Sequence, residues 1–261
     1  MKNEKGNVLF LILIGIALFG ALAMAVFNSG GNTNSDMDDE EAGIIASQII
    51  QMASSIQRSI GQMQIVNGCE DTDISFHYDS DGDGTLETDG SDDYYNAGSE
   101  TDCYVFHPDG GNHTYSPPNT DWLDQTKSAQ GYYGEIFFTG QTCIPNLGSA
   151  PDAASNCHLD SVDNEPLVMF IPYIREEICQ VIAEKMNVIQ SSGDIPIDNS
   201  NSWEVNSTAK FTGTYQDGYA LANAGGTDTS ETMVASTAGC YEGGLNPAPG
   251  SYHFYKVLVI R

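Results

Sequence analysis

The chain is short of positive charge. Of its 261 residues only nine are Lys or Arg, against 36 Asp or Glu, which leaves a formal net charge of −27 at pH 7. A surface this negative repels phosphate backbones and anionic lipid headgroups, so nucleic acid is excluded as a partner. Catalytic signatures are missing too: no GxSxG, HExxH, GxxxxGK[ST] or Rossmann glycine pattern occurs. The histidines, His77, His107, His113, His158 and His253, are scattered, and neither Cys103-x3-His107 nor Cys157-His158 has the spacing of a zinc site. No carboxylate pair stands out as a glycosidase-type couple, and no internal repeat is visible. The chain is expected not to be an enzyme.

Long apolar runs are scarce as well, with one exception. Residues 8–26, VLFLILIGIALFGALAMAV, contain no polar or charged side chain. As a helix, residues 7–27 would measure about 31 Å, against a bilayer hydrocarbon thickness of about 30 Å. Lys2 and Lys5 precede the run and no basic residue follows until Arg58. The positive-inside rule therefore keeps the N-terminus in the cytoplasm and exports the remainder. Gly15, Gly20 and Ala21 would let such helices approach one another closely. Beyond residue 27 lie seven basic and 35 acidic residues and all six cysteines. An even cysteine count on the oxidising side of a membrane predicts disulfides. The simplest pairing is sequential: Cys69 with Cys103, Cys143 with Cys157, and Cys179 with Cys240.

A short basic leader ending in Lys5-Gly6, an apolar helix and then an amphipathic helix entering a cysteine-containing domain resemble the layout of the type IV pilin and pseudopilin superfamily. The resemblance covers roughly residues 1–66. It implies cleavage between Gly6 and Asn7 by a prepilin peptidase, and apolar helices packed at the centre of a filament. Two positions depart from the pattern. Asn7 stands where such pilins usually carry an aromatic residue or Met, and Leu11 replaces their glutamate.

The expected organisation is a leader (1–6), a transmembrane or filament-core helix (7–27), a Gly/Asn linker (28–35), an amphipathic helix (36–68) and an exported β-rich domain (69–261). In the amphipathic segment Ser35 is a suitable N-cap, acidic residues crowd the first turns and Asn67-Gly68 closes the end. Ile45, Ile49, Met52, Ile56, Ile60 and Met63 recur at helical spacing, giving one apolar face. Strands are expected at 74–78, 103–107, 134–140, 166–171, 209–215 and 252–260. The last is apolar on both sides and so belongs at the centre of a sheet. A second helix is expected from near Pro172, with Ile174, Ile178, Ile182, Met186 and Ile189 on one face. The fold class is α+β: the N-terminal helix, the amphipathic helix, then a mostly antiparallel sheet with one further helix and long disulfide-stapled loops.

The sharpest local motif is DSDGDGTLETDGSDD, beginning at Asp79. Asp79, Asp81 and Asp83 occupy positions 1, 3 and 5 of an EF-hand-type calcium loop, Gly84 the sharp turn at position 6, and the Thr85 carbonyl position 7. Position 12 is Gly90 rather than Glu, so the remaining ligands fall to Glu87, Asp89 or the acidic residues beyond. Hard carboxylate oxygens on a tight turn suit Ca2+. Asn112-His113-Thr114 and Asn206-Ser207-Thr208 have the N-glycosylation pattern. The adjacent pairs Tyr94-Tyr95, Tyr132-Tyr133 and Phe137-Phe138 fit strands with a core side and a surface side.

These features lead to the expectation of a structural subunit of a pilus-like filament on a prokaryotic cell surface, assembled through its N-terminal hydrophobic helix. Its partners would be copies of itself, the inner membrane before assembly, and a secretion or pilus machinery. The alternative is a monomeric, membrane-anchored acidic envelope protein that binds a ligand or protein partner.

Overall fold

A helix begins where acidic residues can meet its positive N-terminal end and stops where the chain can turn left-handed. Helix α1, Asp39–Val66, obeys both conditions. Asp39, Glu40 and Glu41 lie in its first turn, and Gly68 at φ 76° follows its last, with the Asn67 amide donating to Met63 O at 2.9 Å. The structure, a computed structural model, describes residue 12 and residues 39–88, 93–147, 165–201, 203, 210–216, 218–221 and 230–261.

One face of α1 is buried along its length: Ala42, Ile45, Ala46, Ile49, Ala53, Ile56, Ile60 and Met63. Met52, from the apolar stripe of the sequence, is only half-buried. The three alanines allow close approach to the elements beneath, which are the second helix and the central strand of the sheet. Each large apolar side chain of that face contributes roughly 1.5–3 kcal/mol by leaving water.

The strands are β1 Phe137–Thr139, β2 Thr142–Cys143, β3 Leu167–Ile174, β4 Ile197–Asp198, β5 Tyr219–Ala220, β6 Ala238–Gly243 and β7 Tyr252–Val259; helix α2 is Glu176–Lys185. Five strands form one sheet in the order β1-β3-β7-β6-β4, and β2 pairs with β5 separately. The pairs β1/β3, β3/β7 and β6/β7 are antiparallel, whereas β4/β6 and β2/β5 are parallel, so the sheet is mixed. The closing strand β7 is central. Its Tyr255 and Val257 join a core with Phe137, Phe170, Trp203 and Tyr241, while Phe254 and Leu258, on the alternate positions, are buried as well.

The expectation of an N-terminal membrane or filament-core helix is corrected here. The described residues contain two α-helices, and neither is long and apolar enough to cross a membrane. α1 is long enough, but Gln48, Gln51, Ser54, Ser55, Gln57 and Arg58 along it leave it amphipathic. Of residues 1–38 only Ile12 is described, so the leader positions Gly6 and Asn7 and the packing positions Gly15, Gly20 and Ala21 lie outside the described residues.

Other expectations are adjusted by backbone chemistry. The strand foreseen at 166–171 runs on to Ile174, and the second helix starts only at Glu176. Pro172 has no N–H for the ladder, and the register with β7 shifts between Ile171 and Ile174 to admit it. Tyr173, at φ 57°, then gives its amide to His253 Nδ1 at 3.3 Å. Segments 74–78 and 103–107 form no ladder: their backbones pair through one parallel bridge, Ser75 to Tyr104, and their aromatic rings pack together. A 3-10 turn at Thr101–Cys103 and a return at Gly110 and Gly111 keep either from extending, with the Gly111 amide donating to Tyr104 O at 2.9 Å. Residues 210–216 form no strand, yet Phe211 and Gln216 donate to Phe138 O and Gly140 O alongside β1.

Two disulfides staple these layers. Cys69–Cys103 fixes the exit of α1 to the first 3-10 turn, and Cys179–Cys240 fixes α2 to β6. Cys143 is also disulfide-bonded, and its expected partner Cys157 lies outside the described residues. Such bonds persist in an oxidising, extracellular or periplasmic compartment.

Candidate metal centre

The acidic motif forms a loop whose ends are tied together. Tyr78 and Asp93 make an antiparallel bridge, and the Asp93 amide donates to Ser80 Oγ at 3.1 Å. Tyr78 stacks on Tyr115 at 3.7 Å between ring centroids, and Phe106 meets both rings edge-on. The loop therefore stands on an aromatic base.

Inside the loop, carboxylates bind backbone amides in sequence. Asp79 Oδ1 accepts from the Gly82 amide at 2.6 Å and Oδ2 from the Gly84 amide at 2.8 Å. Both glycines have positive φ, 79° and 91°, a conformation that side-chain-bearing residues rarely adopt. Asp81 Oδ1 accepts from the Asp83 amide at 3.1 Å, and Asp83 Oδ1 from the Thr85 amide at 2.9 Å. The Thr85 hydroxyl lies between Asp83 Oδ1 and Glu87 Oε1. As a result, ligand oxygens of Asp79, Asp81 and Asp83 all lie within 4.8 Å of one another. At that distance in water each pair of carboxylates repels by roughly 1 kcal/mol, and a dication between them reverses the sign.

The structure thus brings together three of the sequence-derived ligands, with Thr85 and Glu87 close by in the chain. Asp89 lies outside the described residues. The loop is flanked by single bridge residues and turns rather than by the two helices of an EF-hand.

Near the loop's closing residue is a second cluster that carries no local signature in the sequence. Lys210 Nζ lies 2.8 Å from Asp93 Oδ2 and 3.4 Å from Glu135 Oε2, and over the rings of Tyr94 and Tyr132 at 5.2 and 5.7 Å. Three distant segments meet there, so no spacing rule could have announced it. The Tyr78, Tyr94 and Tyr115 phenols are all raised above the ordinary tyrosine value, chiefly by burial, and each also feels the Glu135 charge. Elsewhere His253 is fully buried with its pKa pushed down to about 3, first by burial and then by the Lys127 charge. His77 is also buried, edge-on to the rings of Tyr95 and Tyr104. No protein-family model, no curated protein and no solved structure matches the chain.

Proposed function

We propose that the chain is a non-enzymatic structural subunit that assembles with copies of itself into a pilus-like filament outside the cell. One observation carries the reading. The amphipathic helix α1 follows the apolar run 8–26 in the sequence and is fastened along a whole face to a disulfide-stapled domain. In a filament, neighbouring copies pack against one another along α1. α1 carries load from that contact into the sheet, and the disulfides keep the exposed domain from unravelling. Ile44 near the start of α1 and Ile65 and Val66 at its end, 55%, 85% and 70% exposed, are apolar side chains that a neighbouring copy could cover.

Asp79, Asp81 and Asp83, with the Thr85 carbonyl and Glu87, serve in this proposal as a Ca2+ site that stiffens the outer loop. Calcium bound there supplies charge neutralisation and no chemistry.

Shearing cells and sedimenting the released material without detergent tests the assembly. The expected result is a pellet of filaments, seen by negative-stain imaging, that contains the chain with residues 8–26 intact by mass spectrometry. Recovery of the chain only as dispersed single molecules under all conditions overturns the proposal.

A further inference from the structure

The nine cations of this chain are outnumbered fourfold by carboxylates, yet one of them is largely covered by two aromatic rings and touches two acids at once. The Lys210 side chain is 15% exposed; its Nζ lies 2.8 Å from Asp93 Oδ2 and 3.4 Å from Glu135 Oε2. Glu135 Oε2 is closed off from solvent. The rings of Tyr94 and Tyr132, only 3% and 8% exposed, flank the ammonium. Amide formation between side chains needs an amine beside one carboxyl group and a second carboxylate able to move its protons; Lys210 Nζ touches both acids, whose side chains are 37% and 38% exposed, while the rings of Tyr94 and Tyr132 cover the ammonium. Fixed proximity of this kind substitutes for an activated acyl donor by raising the effective concentration of the reacting groups.

We propose that Lys210 and Asp93 condense to an intramolecular isopeptide bond, with Glu135 as the proton carrier. Glu135 takes a proton from Nζ and delivers it to the Asp93 carboxylate, leaving a neutral amine and a carboxylic acid. The nitrogen lone pair attacks Cγ and forms the N–C bond. Glu135 then moves a second proton from nitrogen to the departing hydroxyl, the C–O bond breaks and one water leaves. One positive and one negative charge vanish together, and no oxidant, nucleotide or other co-reactant is consumed. The bond would lock residue 210 to the closing residue of the acidic loop, independently of whether the chain polymerises.

The test is the intact mass of the full-length chain after reduction and alkylation, followed by peptide sequencing. The expected result is a mass lower by one water and a branched peptide joining Lys210 to Asp93, with no tryptic cleavage after Lys210. Glu135→Gln should restore the full mass. Lys210→Arg, which keeps the positive charge and the ring contact, should do the same. Asp93→Asn should still cross-link, but with loss of ammonia in place of water. A folded wild-type protein at full mass, or a branch from Lys210 to any other residue, overturns the proposal. Folding of each variant is checked by far-ultraviolet circular dichroism, and the wild-type mass decides the matter even if a variant fails to fold.

Discussion

His253 offers the most sharply defined pH test of the core. Its Nδ1 accepts the Tyr173 amide at 3.3 Å, and its Nε2 lies 2.7 Å from Ser251 Oγ, whose own proton goes to Ala248 O. Ser251 therefore accepts from the ring, and the imidazole is neutral with its proton on Nε2. A second proton on Nδ1 would confront the Tyr173 amide donor-to-donor. Tyr173, Trp203 and Tyr241 surround the ring at 5.0 to 5.5 Å and offer no compensating carboxylate. Burial, then Lys127, pushes the native pKa from 6.5 to about 3. The folded chain thus binds fewer protons than the unfolded one, so the contribution is intact above pH 6.5 and is lost as pH falls toward 3. One pKa unit corresponds to about 1.36 kcal/mol, so about 2 kcal/mol should be gone at pH 5. Urea unfolding of wild type and His253→Gln across pH 5 to 7.5 measures this, because the many carboxylates contribute equally to both. Gln costs stability at every pH by losing the ring contacts, but that cost is constant. The gap between the two proteins should shrink by about 2 kcal/mol on acidification. A gap independent of pH would refute the buried neutral histidine.

Three further outcomes follow from particular contacts. EDTA should lower the melting temperature of the wild-type chain, millimolar Ca2+ should restore it, and in Asp81→Ala neither should have an effect; equal EDTA sensitivity in both proteins rules the loop out as the site. The Cys179–Cys240 bond closes a span of 61 residues, so a Cys179→Ser/Cys240→Ser double variant should lose about 4 kcal/mol by denaturant unfolding. At Gly111 an added Cβ would lie 2.5 Å from Val105 O and 2.6 Å from Ser59 Oγ, where the turn meets α1. Gly111→Ala should therefore cost about 1–3 kcal/mol by urea unfolding and break the Ser59 hydroxyl bond to Gly111 O, while Gly43→Ala, with open space around it, should not destabilise.

What could be read in the sequence was whatever had a local period or a local turn. The apolar stripe of α1 and the two-sided apolarity of β7 are properties of single segments, and both have the placement their patterns imply. The acidic loop is also local, and Asp79, Asp81 and Asp83 converge because Gly82 and Gly84 permit the turn. The misreadings came from interactions across the chain. Pro172 would normally end a strand, but the register beside β7 shifts around it, and the Tyr173 amide that the shift turns out of the ladder donates to the His253 ring. The run CYVFH reads as a strand, yet Cys103 is already committed to Cys69 and Tyr104 to the folded-back glycine turn. Trp203 carries no pattern around it, although it is fully buried and donates its indole N–H to Tyr241 at 3.0 Å. Lys210 and its two acids are invisible for the same reason.

The scarcity of cations has a consequence for how salt should act. Arg261 Nε meets Asp71 across 190 residues while its Cζ lies over Tyr215 at 4.0 Å, and Lys210 joins Asp93 to Glu135. These attractive contacts are short, partly shielded from water and backed by aromatic rings. The repulsion among the remaining carboxylates is spread over the exposed surface at longer range. Added salt shortens the screening length from about 30 Å at 0.01 M to about 10 Å at 0.1 M, which weakens the long-range repulsion before it touches pairs in contact. Unfolding relaxes that repulsion by moving the charges apart, so screening it favours the folded chain. The melting temperature, followed by circular dichroism in EDTA to remove divalent ions, should rise between 0.01 and 0.5 M NaCl. A decline over that range would mean that the few ion pairs outweigh the surplus of negative charge, and that the cations matter to stability far more than their number suggests.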